Sequence, residues 1–204
     1  MNLEVITYQI WRELKIPNEN VIVTTSKSKT WSKGLSPFFL GPCKTYDGLM
    51  AKNVENAWQY AKVYSEHLDE NNEILPEYYE WRNKGWNSSY ASRYPMGKGK
   101  IPKFSLWDGK RLSYIEARKN IYIPLYYKAV KNTESFQKLK GIYDSYKSQN
   151  KDLYLIDFDA YRHKELQMKY KDVINNPNKK MGHAFVLAMM LEIPEKLEKA
   201  ISKI

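Results

Sequence analysis

The run Asn53-Val54-Glu55-Asn56-Ala57-Trp58-Gln59-Tyr60-Ala61-Lys62 permits few local structures. Asn53 is a helix-capping residue, and Val54, Ala57, Trp58, Ala61 and Leu68 recur at the spacing of one buried helical face. Glu55, Gln59, Lys62 and Glu66 fall at i, i+4, i+7 and i+11. On a helix that spacing lines up a carboxylate, an amide and an ammonium beside the core face. Such a stripe is either a solvated helix side held by an i, i+4 ladder or a row of groups assembled for chemistry.

The chain has 204 residues and no Pro/Ser/Gly-rich linker, so a single domain over 1–204 is expected. Its 33 Lys and Arg against 23 Asp and Glu give a formal charge of +10, which favours an anionic partner such as nucleic acid or a nucleotide. One cysteine, Cys43, excludes an internal disulfide and a cysteine-rich metal site and fits a reducing compartment. No apolar run approaches the roughly 20 residues of a membrane span, and the first residues are not a signal-peptide core. A cytoplasmic protein with no membrane partner is expected.

The pattern predicts an α+β fold, mostly α-helical, with a small β-sheet. Residues 1–15 read as a short helix and Val21 to Thr25 as a strand. Gly34 to Gly48 is punctuated by Gly and Pro, yet Phe38, Phe39 and Leu40 are too apolar for a solvated loop. Pro76 suits a first helical turn, giving a helix over 76–84. Ser113-Tyr114-Ile115-Glu116 is a capping box opening a helix that Pro124 kinks or restarts. Thr133 caps a further helix ending near Tyr146. Asp152 to Asp157 reads as a strand, and Asn178 to Leu191 and Pro194 to Ile204 as helices.

Three more segments carry chemistry. In Arg93-Tyr94-Pro95-Met96-Gly97-Lys98-Gly99-Lys100, flexible glycine amides and cations such as Arg93 and Lys98 suit a phosphate, or form a basic surface loop. Asp157-Phe158-Asp159 closes an apolar strand, where i and i+2 side chains share a face. The two carboxylates can then divide acid and base roles, hold a cation, or simply solvate the strand end. In Lys179-Lys180-Met181-Gly182-His183-Ala184-Phe185, a basic first turn opposes the helix dipole unless an anion sits there. No metal-ligand spacing and no Cys/His or Ser/His signature is present among His67, His163 and His183.

In order along the chain, three matches resemble the NADAR domain family over about residues 35–192. They are Ser36 to Phe39 with Tyr46-Asp47-Gly48 and Asn53-x-Glu55-Asn56-x-x-Gln59-x-x-Lys62; Asp159-Ala160-Tyr161 after an apolar strand; and Lys180-Met181-Gly182-His183 leading into the helix up to Met190. Residues 1–34 would be an N-terminal helix and strand extension. The resemblance implies an N-glycosidase, metal-independent and without a cofactor, acting on ADP-ribosylated bases in nucleic acid or on related nucleotides. It implies that Glu55 and Asp159, with Asp157 nearby, are the catalytic carboxylates, and that Gln59 and Lys62 lie beside them. Asn56 stands where the family motif has histidine, and Arg162-His163 where it has Trp-Gly. Trp58 or Trp107 can stack on a base, and the Gly182–His183 turn and the Arg93 and Lys98 loop can contact a diphosphate. Two other functions fit the same residues: a nucleotide-binding protein without turnover, and a basic nucleic-acid-binding protein using its 17 tyrosines and six tryptophans for stacking.

Overall fold

Side chains that accept first-turn amides set four helix starts. Thr7 accepts from the Ile10 amide at 3.2 Å, Asn53 from Asn56 at 2.8 Å, and Thr133 from Phe136 at 3.1 Å. Ser113 and Glu116 form the predicted capping box in both directions. In the computed structural model, which describes residues 1–202, the chain order is β1 (Leu3–Ile6), α1 (Tyr8–Glu13), β2 (Val21–Val23), β3 (Cys43–Lys44), β4 (Met50–Ala51), α2 (Val54–Gln59) and β5 (Lys62–Val63). There follow α3 (Pro76–Asn87), β6 (Phe104–Trp107), β7 (Lys110–Leu112), α4 (Tyr114–Ala117), α5 (Ile123–Val130) and α6 (Glu134–Ser148). The chain closes with β8 (Leu153–Ile156), α7 (Tyr170–Asn175), α8 (His183–Glu192) and α9 (Pro194–Ile201). The protein is α+β, mostly helical with small sheets.

The chain divides into two compact units, one made of Met1–Ser36 and the residues from Tyr126 onward, the other of Pro37–Leu125. In the first, β8 lies between β1 and β2 in a parallel sheet, with Leu3 opposite Leu153 and Val23 opposite Ile156. Leu3, Val5, Ile6, Leu153, Leu155 and Ile156 are buried, the near-continuous apolar run of a parallel sheet. The expected helix over 1–15 is therefore corrected: Leu3 to Ile6 pair with β8, and only Tyr8 to Glu13 are helical. Glu4 on β1 is buried because Arg162 holds it, Nε to Oε2 at 2.7 Å. Helix α8 is apolar and buried on every face from His183 to Leu191. It begins at His183, not Asn178, because Gly182 is the last extended residue before it. The final helix runs to Ile201, and positions 203–204 of its expected length lie outside the described residues.

In the second unit β5, β6 and β7 form an antiparallel sheet, and β3 pairs with β4. The β6–β7 turn is Asp108-Gly109 with φ of 48° and 71°, the two positive values a type I′ hairpin requires. Val63, Tyr78 and Leu106 form a buried cluster packed by Leu68, Ile74, Trp81 and Phe104. The expected helix from Asn53 through the Lys62 and Glu66 stripe is shorter in fact. It stops at Gln59, since Lys62 and Val63 pair with Ser105 and Phe104 instead of continuing the helix. Leu40 is buried as expected, whereas Phe39 is exposed. A π turn over Arg118–Tyr122 joins α4 to α5 just before Pro124, whose missing N–H would have broken an α-helical bond there anyway. Among the described residues no helix is long and apolar enough to cross a membrane.

Candidate functional site

Glu55 occupies the first turn of α2, at the positive end of the aligned peptide dipoles, where a carboxylate is favoured. Its own amide donates to the Pro37 carbonyl at 3.1 Å, fixing the turn to the segment before it. Gln59, one turn on, donates from Nε2 to Glu55 Oε1 at 2.9 Å, and Lys62 Nζ donates to Gln59 Oε1 at 2.6 Å. An ammonium can only donate, so Lys62 takes the amide oxygen and turns the Gln59 NH₂ toward Glu55. The row is polarised: a cation at one end, a carboxylate at the other, an amide of settled orientation between. Glu55 and Gln59 are 5% and 8% exposed and Lys62 is half-buried. The Lys62 ammonium also lies 4.8 Å from the Trp58 ring centroid. Lys62 reaches Gln59 from β5, so the spacing named the right neighbours although the stripe is not one continuous helix. Glu66 leaves the row altogether and pairs with Lys100.

Asn56 has a different part from the one expected of it. Fully buried, it donates from Nδ2 to the carbonyls of Gly85, Ser88 and Tyr90 at 3.1, 3.1 and 2.9 Å, and its Oδ1 accepts from the Ser92 amide at 2.9 Å. The three carbonyls take up both N–H donors of the amide, and with no exposed surface Asn56 acts as a clamp on the backbone. Beyond it, Arg93 stacks on Tyr94 at 5.5 Å and Lys98 is exposed between Gly97 and Gly99. Trp107 on β6 packs edge-on against Tyr46 and Trp86, at 5.0 and 6.0 Å between centroids. Arg82, missed in the sequence, lies in the same cluster, 4.7 Å from the Trp86 ring and hydrogen-bonded to the Tyr46 hydroxyl. The helical spacing Tyr79, Arg82, Trp86 was the signal for it.

Asp157, Asp159, Gly182 and His183 belong to the first unit. Strand β8 ends at Ile156, so the two aspartates follow the strand and do not share its face: Asp157 is buried and Asp159 half-exposed. Asp157 Oδ2 accepts from the Ala184 amide at 3.0 Å and faces His183 Nδ1 at 3.0 Å, while Oδ1 accepts from the Phe158 amide at 2.6 Å. His183 Nε2 lies 2.9 Å from the Thr24 carbonyl. With an acceptor opposite each ring nitrogen, both hydrogen bonds form only when both nitrogens carry protons. Burial would raise the Asp157 pKa, but the His183 charge and the three hydrogen bonds outweigh it and hold the carboxyl below its usual value.

The anion expected at the Gly182–His183 turn is thus the protein's own Asp157, which caps α8. Gly182 is required there by space, since a Cβ on it would sit 2.2 Å from Asp157 Oδ2 and 3.0 Å from the Asp159 carbonyl. These residues form a brace, and a diphosphate has no place on it. Cys43 is buried, which pushes its thiol up to about 11 and leaves it a poor nucleophile. Among the described residues no group of three or more His, Cys, Asp or Glu side chains is arranged to hold a metal ion. A model for a family of unknown function, DUF6939, matches residues 11–187, a span that includes both clusters. No curated protein matches the chain.

Proposed function

The chain belongs to the DUF6939 family, and we propose that it hydrolyses an N-glycosidic bond in an ADP-ribosylated base or a related nucleotide, with Glu55 as the catalytic carboxylate. The observation that carries this is the buried Glu55–Gln59–Lys62 row. Its E-x-x-x-Q-x-x-K spacing is also the part of the chain that most resembles NADAR domains. Departure of a base from a ribose C1′ builds positive charge on the sugar, and a carboxylate held in place stabilises it. Glu55 then takes a proton from the attacking water as the water oxygen bonds to C1′. The base leaves with the bonding electron pair and picks up a proton from solvent water, which Glu55 makes good by releasing the one it took. Gln59 fixes the angle of the carboxylate, and Lys62 fixes Gln59, so the last two are positioning residues.

The basic character of the chain suits a substrate rich in phosphate. The test is mass spectrometry of small molecules released from DNA carrying ADP-ribose on guanine, with wild type and Glu55→Gln compared. ADP-ribose from wild type alone supports the proposal; no release by folded wild type overturns it for this substrate. One observation favours a second reading, nucleotide binding without turnover: Asn56, standing where the resembled motif has histidine, is consumed by backbone contacts. That reading predicts an intact nucleotide recovered when the loaded protein is denatured.

A further inference from the structure

The backbone that Asn56 clamps continues into a segment with exposed tyrosines and lysines. Tyr90 is 80% exposed, although its carbonyl is held by Asn56 and by the Ser88 hydroxyl and its amide by Ser88 Oγ. The fixed backbone therefore holds this ring at the surface. Four residues on, Tyr94 is 42% exposed, with the Arg93 guanidinium over its ring. Residues 90–103 carry Arg93, Lys98, Lys100 and Lys103 and no Asp or Glu. The segment is shaped, too. Gly97 donates to the Tyr94 carbonyl at 3.0 Å, and Gly97 and Gly99 take φ of 99° and 92°, which other residues adopt only with strain. At its far end the Lys103 amide bonds the Val63 carbonyl at 2.8 Å, tying the segment to β5.

We propose that residues 90–103 bind single-stranded nucleic acid, with unpaired bases stacking on Tyr90 and Tyr94 and phosphates meeting Arg93 and Lys98. Exposed rings alternating with cations match a strand that alternates bases and phosphates. An acidic peptide would satisfy the cations and leave Tyr90 without a partner, and a duplex hides the base faces inside its stack. Because Asn56 follows Glu55 directly, the clamp fixes the stacking segment to the helix that carries the proposed catalytic carboxylate. The inference deepens the N-glycosidase proposal by making the substrate a polymer, but strand binding does not depend on turnover.

The experiment is fluorescence anisotropy of an unmodified, labelled single-stranded oligonucleotide of mixed sequence, titrated with the full chain over a range of salt. Saturable binding that weakens as salt rises is expected, with Tyr90→Ala/Tyr94→Ala weakening it roughly tenfold or more and Tyr90→Phe leaving it intact. Both tyrosines are exposed, so thermal unfolding of the variants should match wild type. No binding by wild type, or binding that the double alanine variant leaves unchanged, overturns the proposal. Binding with the expected variant effects but no ADP-ribose release overturns the glycosidase reading for that substrate and leaves strand binding standing. Release without strand binding leaves that reading standing and overturns this one.

Discussion

Asp157 in the first unit and Glu55 in the second are both buried carboxylates with a basic group nearby, and their surroundings are built on different plans. Around Asp157 both oxygens meet fixed donors, and the partner histidine faces an acceptor at each ring nitrogen. Around Glu55 an amide, Gln59, bridges the carboxylate to the Lys62 ammonium, which is half-buried on an aromatic face. Direct contact neutralises a pair and spends it on structure. At Glu55 the amide of Gln59 stands between the carboxylate and the Lys62 ammonium. Two acidic residues of similar burial therefore have different prospects for chemistry, and the partners decide which is which.

The largest effect is expected at Glu55. Glu55→Gln keeps the shape and an acceptor for Gln59, so turnover should fall by about 10²- to 10⁴-fold with the unfolding midpoint in urea nearly unchanged. A large stability loss instead would make Glu55 a structural group like Asp157. The converse test is Asp157→Ala, which leaves His183 in the interior without its counter-charge and should cost about 3–5 kcal/mol in urea unfolding. A cost under about 1 kcal/mol would mean that the brace is not structural. Gly182→Ala places a methyl where the Asp157 carboxylate lies, and about 1–3 kcal/mol of destabilisation is expected. A neutral result there would show that the carboxylate can move away from α8.

The smallest effect sharpens the contrast through pH. The Asp157 carboxyl is held below its usual range, so its contribution to stability is complete above about pH 4 and is lost as pH falls through the lower folded value. Urea unfolding of wild type should therefore steepen in its pH dependence below about pH 4. Asp157→Asn should lack that acid limb; identical limbs in the two proteins would assign the effect to other groups.

What was legible in the sequence was local. Asn53, Ser113 and Thr133 cap the helices they were expected to cap, because a cap needs only the amides two or three residues ahead. Strand β1 was not legible, since Leu3 to Ile6 become a strand only by pairing with residues far along the chain, and the same letters suit a helix start. Asp108-Gly109 is a local hairpin signal of the same kind, since both positive φ values belong to the turn itself. At the candidate site the spacing found Glu55, Gln59 and Lys62, since neighbours remain neighbours even though the helix ends at Gln59. It could not show that Asn56 clamps a distant loop or that Asp157 caps α8, because both depend on which backbone arrives opposite the side chain.

The parallel sheet also has a consequence in time. Asn2 and Asp152 are hydrogen-bonded across 150 residues of chain, and β8, the middle strand, is the last of the three to leave the ribosome. Until it does, Leu3, Val5, Ile6 and Ile22 have no sheet to enter, while Pro37–Leu125 is contiguous and can condense during synthesis. If Pro37–Leu125 condenses first, the apolar strand residues of β1 and β2 stay exposed through its synthesis, a window in which a chaperone that shields apolar strands would act on this protein.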